Sequence, residues 1–231
     1  MIEVLFMRIV YFDTETTGVK PAEDKIIEIA LLIYEDGECI EEYDEFIDIG
    51  EKLPEKITEL TGITDEMLTS EGVYPKIAAQ KIYSELMPGS VWIAHNTQFD
   101  LLFIYNLLRK FYPPKLVMDR LSKMYWLDTL TIYKDRAGYP HKLQDMVKHY
   151  EIPDVNYHRA IDDSHALKES MKALKKERND IKEYVNLFGY NPRYGVTGEE
   201  LPFITYAKQA YFNGLKSPRN ILPKTIKEKG D

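Results

Sequence analysis

The chain has 231 residues, 44% of them hydrophobic and 29% charged, with a net charge of −8 and a pI near 5.3. That length suits one sizeable domain with a modest appendage, and the composition is too apolar for a disordered chain. No window approaches the ~18 uninterrupted apolar residues of a spanning helix, so no membrane partner is expected.

The acidic balance argues against nucleic-acid binding by bulk attraction, but not against an enzyme whose negative charge is gathered at a metal site. The stretch from Asp180 onward is slightly basic, whereas the remainder is acidic. MIEVLFM at the start has neither a basic lead nor a long apolar core, so no signal peptide is expected. Cys39, the single cysteine, reads as an ordinary strand residue in a reducing compartment, which makes the cytoplasm the expected location.

In chain order, residues 8–17 read as a strand ending in YFDTETTG. Residues 25–49 read as two strands turning at Asp36-Gly37, a good hairpin dipeptide, so the first three strands form a meander. Helices are predicted from Pro54 to Thr61 and from Pro75 to Met87, each opening at a proline. SVWIAHN, 90–96, is a short strand apolar on both faces, and QFDLLFIYNLLRKF, 98–111, is an apolar helix stopping before Pro113-Pro114. Residues 126–134 read as either a strand or a buried helix. Helices follow over 142–152 and 158–179. Strands in a run, then helices alternating with strands, indicate a mixed sheet covered by helices, α/β or α+β.

Composition changes near Asp180, dividing the chain into a domain of residues 1–179 and an aromatic and basic extension of 180–231. Tyr190, Arg193, Tyr194, Tyr206, Lys208 and Tyr211 could stack bases and contact phosphates, but an extension packed on the domain through its aromatics is the favoured reading. The last segment, with Lys216, Arg219, Lys224, Lys227 and Lys229, is expected to be a mobile arm.

Acids at positions that should be buried carry the functional signal. Asp13 and Glu15 share one strand face with Tyr11, roughly 7 Å apart, where they repel unless a cation lies between them. Asp100 stands on the helical stripe of Ile104, Leu107 and Phe111. Asp163 falls on the stripe of Ala160, Leu167, Met171 and Leu174, whereas Asp162 is turned about 100° away. His158, a few residues earlier, can reach the same place. Oxygen donors of this number suit Mg²⁺ or Mn²⁺ rather than Zn²⁺. A two-metal phosphoryl-transfer site, with a histidine taking the proton of the attacking water, is the sharpest reading.

FDTETTG, HNTQFDLLF and HRAIDDSHAL, in this order, resemble the three motifs of the DEDDh 3′→5′ exonucleases, the group that includes the epsilon proofreading subunit of DNA polymerase III. The resemblance covers roughly residues 8–175 and implies a ribonuclease-H-like fold: an antiparallel meander plus parallel strands, flanked by helices. It implies that Asp13, Glu15, Asp100 and Asp163 hold two Mg²⁺ or Mn²⁺ ions and that His158 is the general base. It also implies substrate contacts at Thr16, Thr17 and Gly18, at Ile63 in LTGIT, and at Asn96 and Phe99.

The function expected is a metal-dependent 3′→5′ exonuclease releasing nucleoside 5′-monophosphates from DNA, with single-stranded DNA favoured over RNA and a polymerase or replication protein as a possible partner. A 3′→5′ exoribonuclease or oligoribonuclease is the alternative. An aspartyl-phosphate phosphatase wants an Asp where Glu15 stands, and an inactive nucleic-acid-binding module is disfavoured because all five positions are filled. His95 is expected to hold a strand end by hydrogen bonding, Asp128 to be a helix cap or a support for the site, and Asp162 and His165 to be structural or solvated. His141, His149, Trp92 and Trp126 carry no functional signal.

Overall fold

A computed structural model describes residues 8–153 and 159–209. Its central sheet has five strands in the order β3-β2-β1-β4-β5, with β1 Arg8–Thr16, β2 Ile26–Glu35, β3 Glu38–Phe46, β4 Val91–Ala94 and β5 Tyr125–Asp128. The first three strands pair antiparallel and β1-β4-β5 pair parallel, giving the mixed α/β architecture. The β2–β3 turn is the two-residue loop Asp36-Gly37, both with positive φ (48° and 87°), whose twist matches that of the strands it joins.

Alternation along β1 divides the core. Val10 and Phe12 face a layer that includes α3 (Pro75–Glu85), α4 (Thr97–Leu108) and α5 (Pro114–Leu121). Ile9 and Tyr11 face α6 (Thr129–Lys134), α7 (Leu143–His149) and α8 (Ala160–Glu177). The short helices α1 (Glu55–Thr61) and α2 (Asp65–Glu71) flank a smaller cluster of Ile27, Phe46, Ile63 and Leu68. β3 is an edge strand whose Glu38, Glu41, Glu42, Asp44 and Glu45 discourage pairing with another chain.

Several boundaries differ from expectation for local reasons. α2 and α5 were not predicted. Thr64 opens α2 by accepting from Met67 N–H, and Pro114 stands in the first turn of α5. Residues 126–134 are a strand and a helix in succession, because Asp128 accepts from Leu130 and Thr131 N–H and so starts α6. α4 ends at Leu108, which leaves Phe111 beyond the helix and 39% exposed rather than on a buried stripe. Nearly all of α4 is buried, so burial of Asp100 follows from the whole helix and not from one face.

The chain after α8 continues through a 3-10 turn (Ile181–Tyr184) and the parallel pair β6 (Leu187–Tyr190) and β7 (Thr205–Lys208). Asn186 covers the outer edge of β5, accepting from Trp126 N–H (2.8 Å) and donating its own N–H to Trp126 O (2.8 Å). Tyr184, Phe188, Leu201 and Ile204 are buried, and Tyr206 Oη donates to Gln98 Oε1 on α4 (2.9 Å). Tyr194 instead stays exposed, with Arg193 over its ring. Tyr211 and the five cations from Lys216 to Lys229 lie outside the described residues.

Candidate metal centre

The apolar rows that bind β1 to α8 turn acidic at one end. Along β1 the row runs Ile9, Tyr11, Asp13, Glu15; along α8 it runs Leu174, Met171, Leu167, Asp163. Strand and helix are held by the same contacts until both present carboxylates. Asp13, Glu15 and Asp163 each offer an oxygen, and these atoms all lie within 4.8 Å of one another. Asp163, not Asp162, faces the strand acids, as a 3.6-residue repeat requires.

Asp100 arrives from the opposite layer. It sits in the first turn of α4, 3% exposed, and its Oδ1 accepts from Thr14 Oγ1 (2.6 Å), the residue between the two strand acids. It adjoins the three-carboxylate cluster rather than joining it. Its charge still acts on Asp13 and Glu15.

Electrostatics at this end are one-sided. Burial, then the charges of Asp100, Asp163, Glu15 and Glu28, hold the Asp13 carboxyl well above its ordinary range. Glu15 is pushed up to about 8 by burial and then by Glu28, Asp163 and Asp100, with Arg159 pulling the other way. Burial lifts Asp100 to about 7 although the Thr14 hydroxyl favours its charged form. Carboxylates crowded in this way are unfavourable when all are ionised, and a bound divalent cation reverses the sign of the interaction. The donors are all hard oxygens, so the residues fit Mg²⁺ or Mn²⁺.

Neighbouring residues set the rim. Thr16 Oγ1 donates to Gly18 O (2.6 Å), and Thr17 brackets Lys25 through two 2.9 Å bonds. A Cβ on Gly18 would stand 2.4 Å from the Asp24 carboxylate, so a larger residue in this turn would have to displace the Asp24 side chain. Beyond the turn lies a cavity of about 380 Å³ whose walls include Val19, Lys20, Asn106 and Arg109. Asn96 is exposed and left-handed (φ 73°), held by Asp128 Oδ1, which accepts from Asn96 and Thr97 N–H (2.9 and 3.1 Å). Asp128 thus caps α6 and fixes the start of α4 with one carboxylate. His95 holds the end of β4 through Thr129 Oγ1 (3.0 Å) and His141 O (2.9 Å). Phe99 is half-buried against Phe103. His165 is partly exposed, 3.6 Å from Glu42.

Ile63 is buried in this structure. It follows the left-handed Gly62 that ends α1 and is enclosed by its cluster, with 0% of its surface exposed. Leu60, one turn earlier, is 55% exposed. His158 lies outside the described residues. Sequence reasoning missed Glu28, fully buried directly across from Glu15. The signal was present, since Glu28 is the one acid within the apolar run IIEIALLI.

Residues 10–171 match the family model described as exonuclease. Among curated relatives, the chain is 36% identical over 183 residues to the PolC-type DNA polymerase III of Clostridium perfringens, covering 75% of this chain and 12% of that protein. It is 34% identical over 186 residues to that of Listeria innocua, covering 78% and 12%. The chain therefore spans about an eighth of these relatives' length. Among solved structures, the fold is similar to E. coli ExoI in a complex with ssDNA (TM-score 0.68, 22% identity, 78% of this chain and 42% of that one). It is also similar to Exonuclease I of Methylocaldum szegediense (TM-score 0.65, 17% identity, 75% and 41%).

Proposed function

The chain belongs to the exonuclease family, in its ribonuclease-H-like DEDD branch, and from that premise we propose that it removes nucleotides from the 3′ ends of DNA, releasing nucleoside 5′-monophosphates. The observation that carries this reading is the convergence of Asp13, Glu15 and Asp163 within 4.8 Å, with Asp100 alongside. In this proposal these four carboxylates hold two Mg²⁺ or Mn²⁺ ions. Such ions, when bound, stabilise the charge on the attacking and leaving oxygens of a displacement at phosphorus.

The chain's own residues supply the rest. His158, five residues before Asp163, accepts a proton from the attacking water as its oxygen bonds to the terminal phosphorus. The bond from phosphorus to the 3′ oxygen of the preceding nucleotide breaks, and that oxygen leaves with a proton as a new 3′ hydroxyl. The Thr16-Thr17-Gly18 turn, Asn96 and Phe99 border the acids and orient the terminal nucleotide. Single-stranded DNA is the favoured substrate, because one structural neighbour holds ssDNA and the relatives cited are DNA polymerases. Work beside a polymerase, in the cytoplasm, is the setting this reading suggests. Among the described residues, no helix is long and apolar enough to cross a membrane.

The test digests labelled single-stranded, duplex and mismatched DNA, and matched RNA, with Mg²⁺ or Mn²⁺, and identifies the products. The parent is expected to release 5′-mononucleotides from 3′ ends of DNA. Asp13→Asn is expected to lose at least about 10²–10³-fold in rate while keeping its circular dichroism spectrum. Digestion by folded Asp13→Asn at the parent's rate would refute the mechanism. Faster digestion of RNA than of DNA would replace the substrate with the exoribonuclease alternative.

A further inference from the structure

Behind the four acids lies a second charged arrangement that the reaction does not use. Cross-strand register places Glu15, Glu28 and Phe46 in one row across β1, β2 and β3, and Asp13, Ala30 and Asp44 in the next. The register slips by one at Glu15/Thr16, leaving Ile27 as the extra residue beside Glu28. Bulges of this kind re-aim a side chain beside a functional site. Glu28 is 0% exposed. Its Oε1 accepts from Arg159 Nε (2.7 Å) and its Oε2 from Ala160 N–H (3.2 Å).

Those bonds do something α8 cannot do for itself. Its N-cap residue is Arg159, whose side chain makes no capping bond. The first turn of a helix leaves N–H groups without partners, and here a carboxylate from a distant strand takes one of them. The Arg159 guanidinium is held from three sides: by Glu28, by Asp44 (3.6 Å), and by the Phe46 ring 4.9 Å beneath it. Asp163 N–H in turn donates to Arg159 O (3.0 Å), so Asp163 hangs one turn from this anchor.

We infer that Glu28 and Arg159 are a positioning pair: they dock the first turn of α8 on β2 and β3 so that Asp163 stands over Asp13 and Glu15 on β1. The inference rests on the reading of those acids as a metal centre. It assigns the pair no contact with substrate. The charge of Glu28 acts on Asp13 and Glu15, and Arg159 is the cation paired with this buried carboxylate. Arg159 also lowers the proton affinity of Glu15, against the effect of every acid around it.

The test uses the full chain with Mn²⁺ alone as the probe, its affinity read by calorimetry beside the melting temperature, kcat and KM. Glu28→Gln and Arg159→Met are each expected to weaken Mn²⁺ binding about tenfold or more, the usual scale for contacts that orient metal ligands. kcat should fall with KM nearly unchanged, and the double variant should lose no more than the worse single, because the two residues act as one unit. Asp180→Asn, at the far end of α8, is expected to lower the melting temperature and leave Mn²⁺ affinity alone. Arg159→Lys keeps the charge without the Nε–H and serves if larger changes prevent folding.

Parent-like Mn²⁺ affinity in folded Glu28→Gln or Arg159→Lys overturns the pair, as does failure of all these variants to fold. If the parent shows no Mn²⁺ binding that Asp13→Asn removes, the metal reading itself fails, and the pair fails with it.

Discussion

The two ends of α8 are both held by buried charge, yet they are built on opposite plans. At the C-terminal end, Arg136, with a side chain only 1% exposed, donates to Leu174 O, Arg178 O and Asp180 Oδ1, the last at 2.6 Å. Arg178 bonds to Asp180 and to Tyr184 Oη (2.7 Å), and Tyr184 donates to Asp135 Oδ2 (3.0 Å). Cations there meet acids and helix-end carbonyls, an arrangement that suits the negative end of the helix dipole. At the N-terminal end Asp13, Glu15, Asp163, Asp100 and Glu28 crowd together, with Arg159 the cation paired to Glu28. The charges of the far end are paired as folded. The near end is left with an excess of negative charge, as a site for cations requires.

If that contrast is right, the largest loss of stability comes from the far end. Arg136→Met leaves the Leu174 and Arg178 carbonyls without their donor and Asp180 with Arg178 alone, at a cost of about 3 kcal/mol, or roughly 6–12 °C in melting temperature. Mn²⁺ affinity should be unchanged, and equilibrium denaturation with calorimetry checks both.

The near end should instead respond to pH. Folding raises the Asp100 and Glu15 carboxyls from ordinary values of 3.8 and 4.5 to about 7 and 8. The native state therefore keeps protons that the unfolded chain releases. That contribution to stability is full below about pH 4 and is lost as pH rises through about 7 and 8. In chelator, the melting temperature should fall by several degrees between pH 5 and pH 8. Mn²⁺ should raise it more at pH 8 than at pH 5, since the ion binds the ionised form. Glu15→Gln should flatten the slope. A melting temperature that climbs with pH in chelator would mean the acids are compensated by other groups.

The smallest effect belongs to the exposed fringe of the far end. Glu177 bonds to Tyr150 Oη and lies 3.8 Å from Arg136, but its side chain is 45% exposed. Glu177→Gln should change stability by no more than about 0.5 kcal/mol, measurable as a shift in denaturation midpoint. A larger loss would move Glu177 from the fringe into the buried network.

Local pattern carried the meander, the Asp36-Gly37 turn, the strand 90–96 and the choice of Asp163 over Asp162, because strand and helix periods act over a few residues. It also placed Asp13 and Glu15 on the face of Tyr11. The burial of Ile63 was not legible because LTGIT reads the same whether its isoleucine faces a groove or a core, and its packing against Ile27, Phe46 and Leu68 joins distant segments. Glu28 went unread because its meaning depends on what lies across the strand.

From its sequence alone, then, this chain determined the meander, the longer helices and the inward turn of Asp13, Glu15 and Asp163, since side-chain periodicity and the cost of burying charge are local. Only the tertiary structure decided that Asp100 reaches the strand acids from the opposite layer through Thr14, and that a glutamate from β2 caps α8. Those facts rest on register and helix docking, which join residues far apart in the chain through the packing of whole layers.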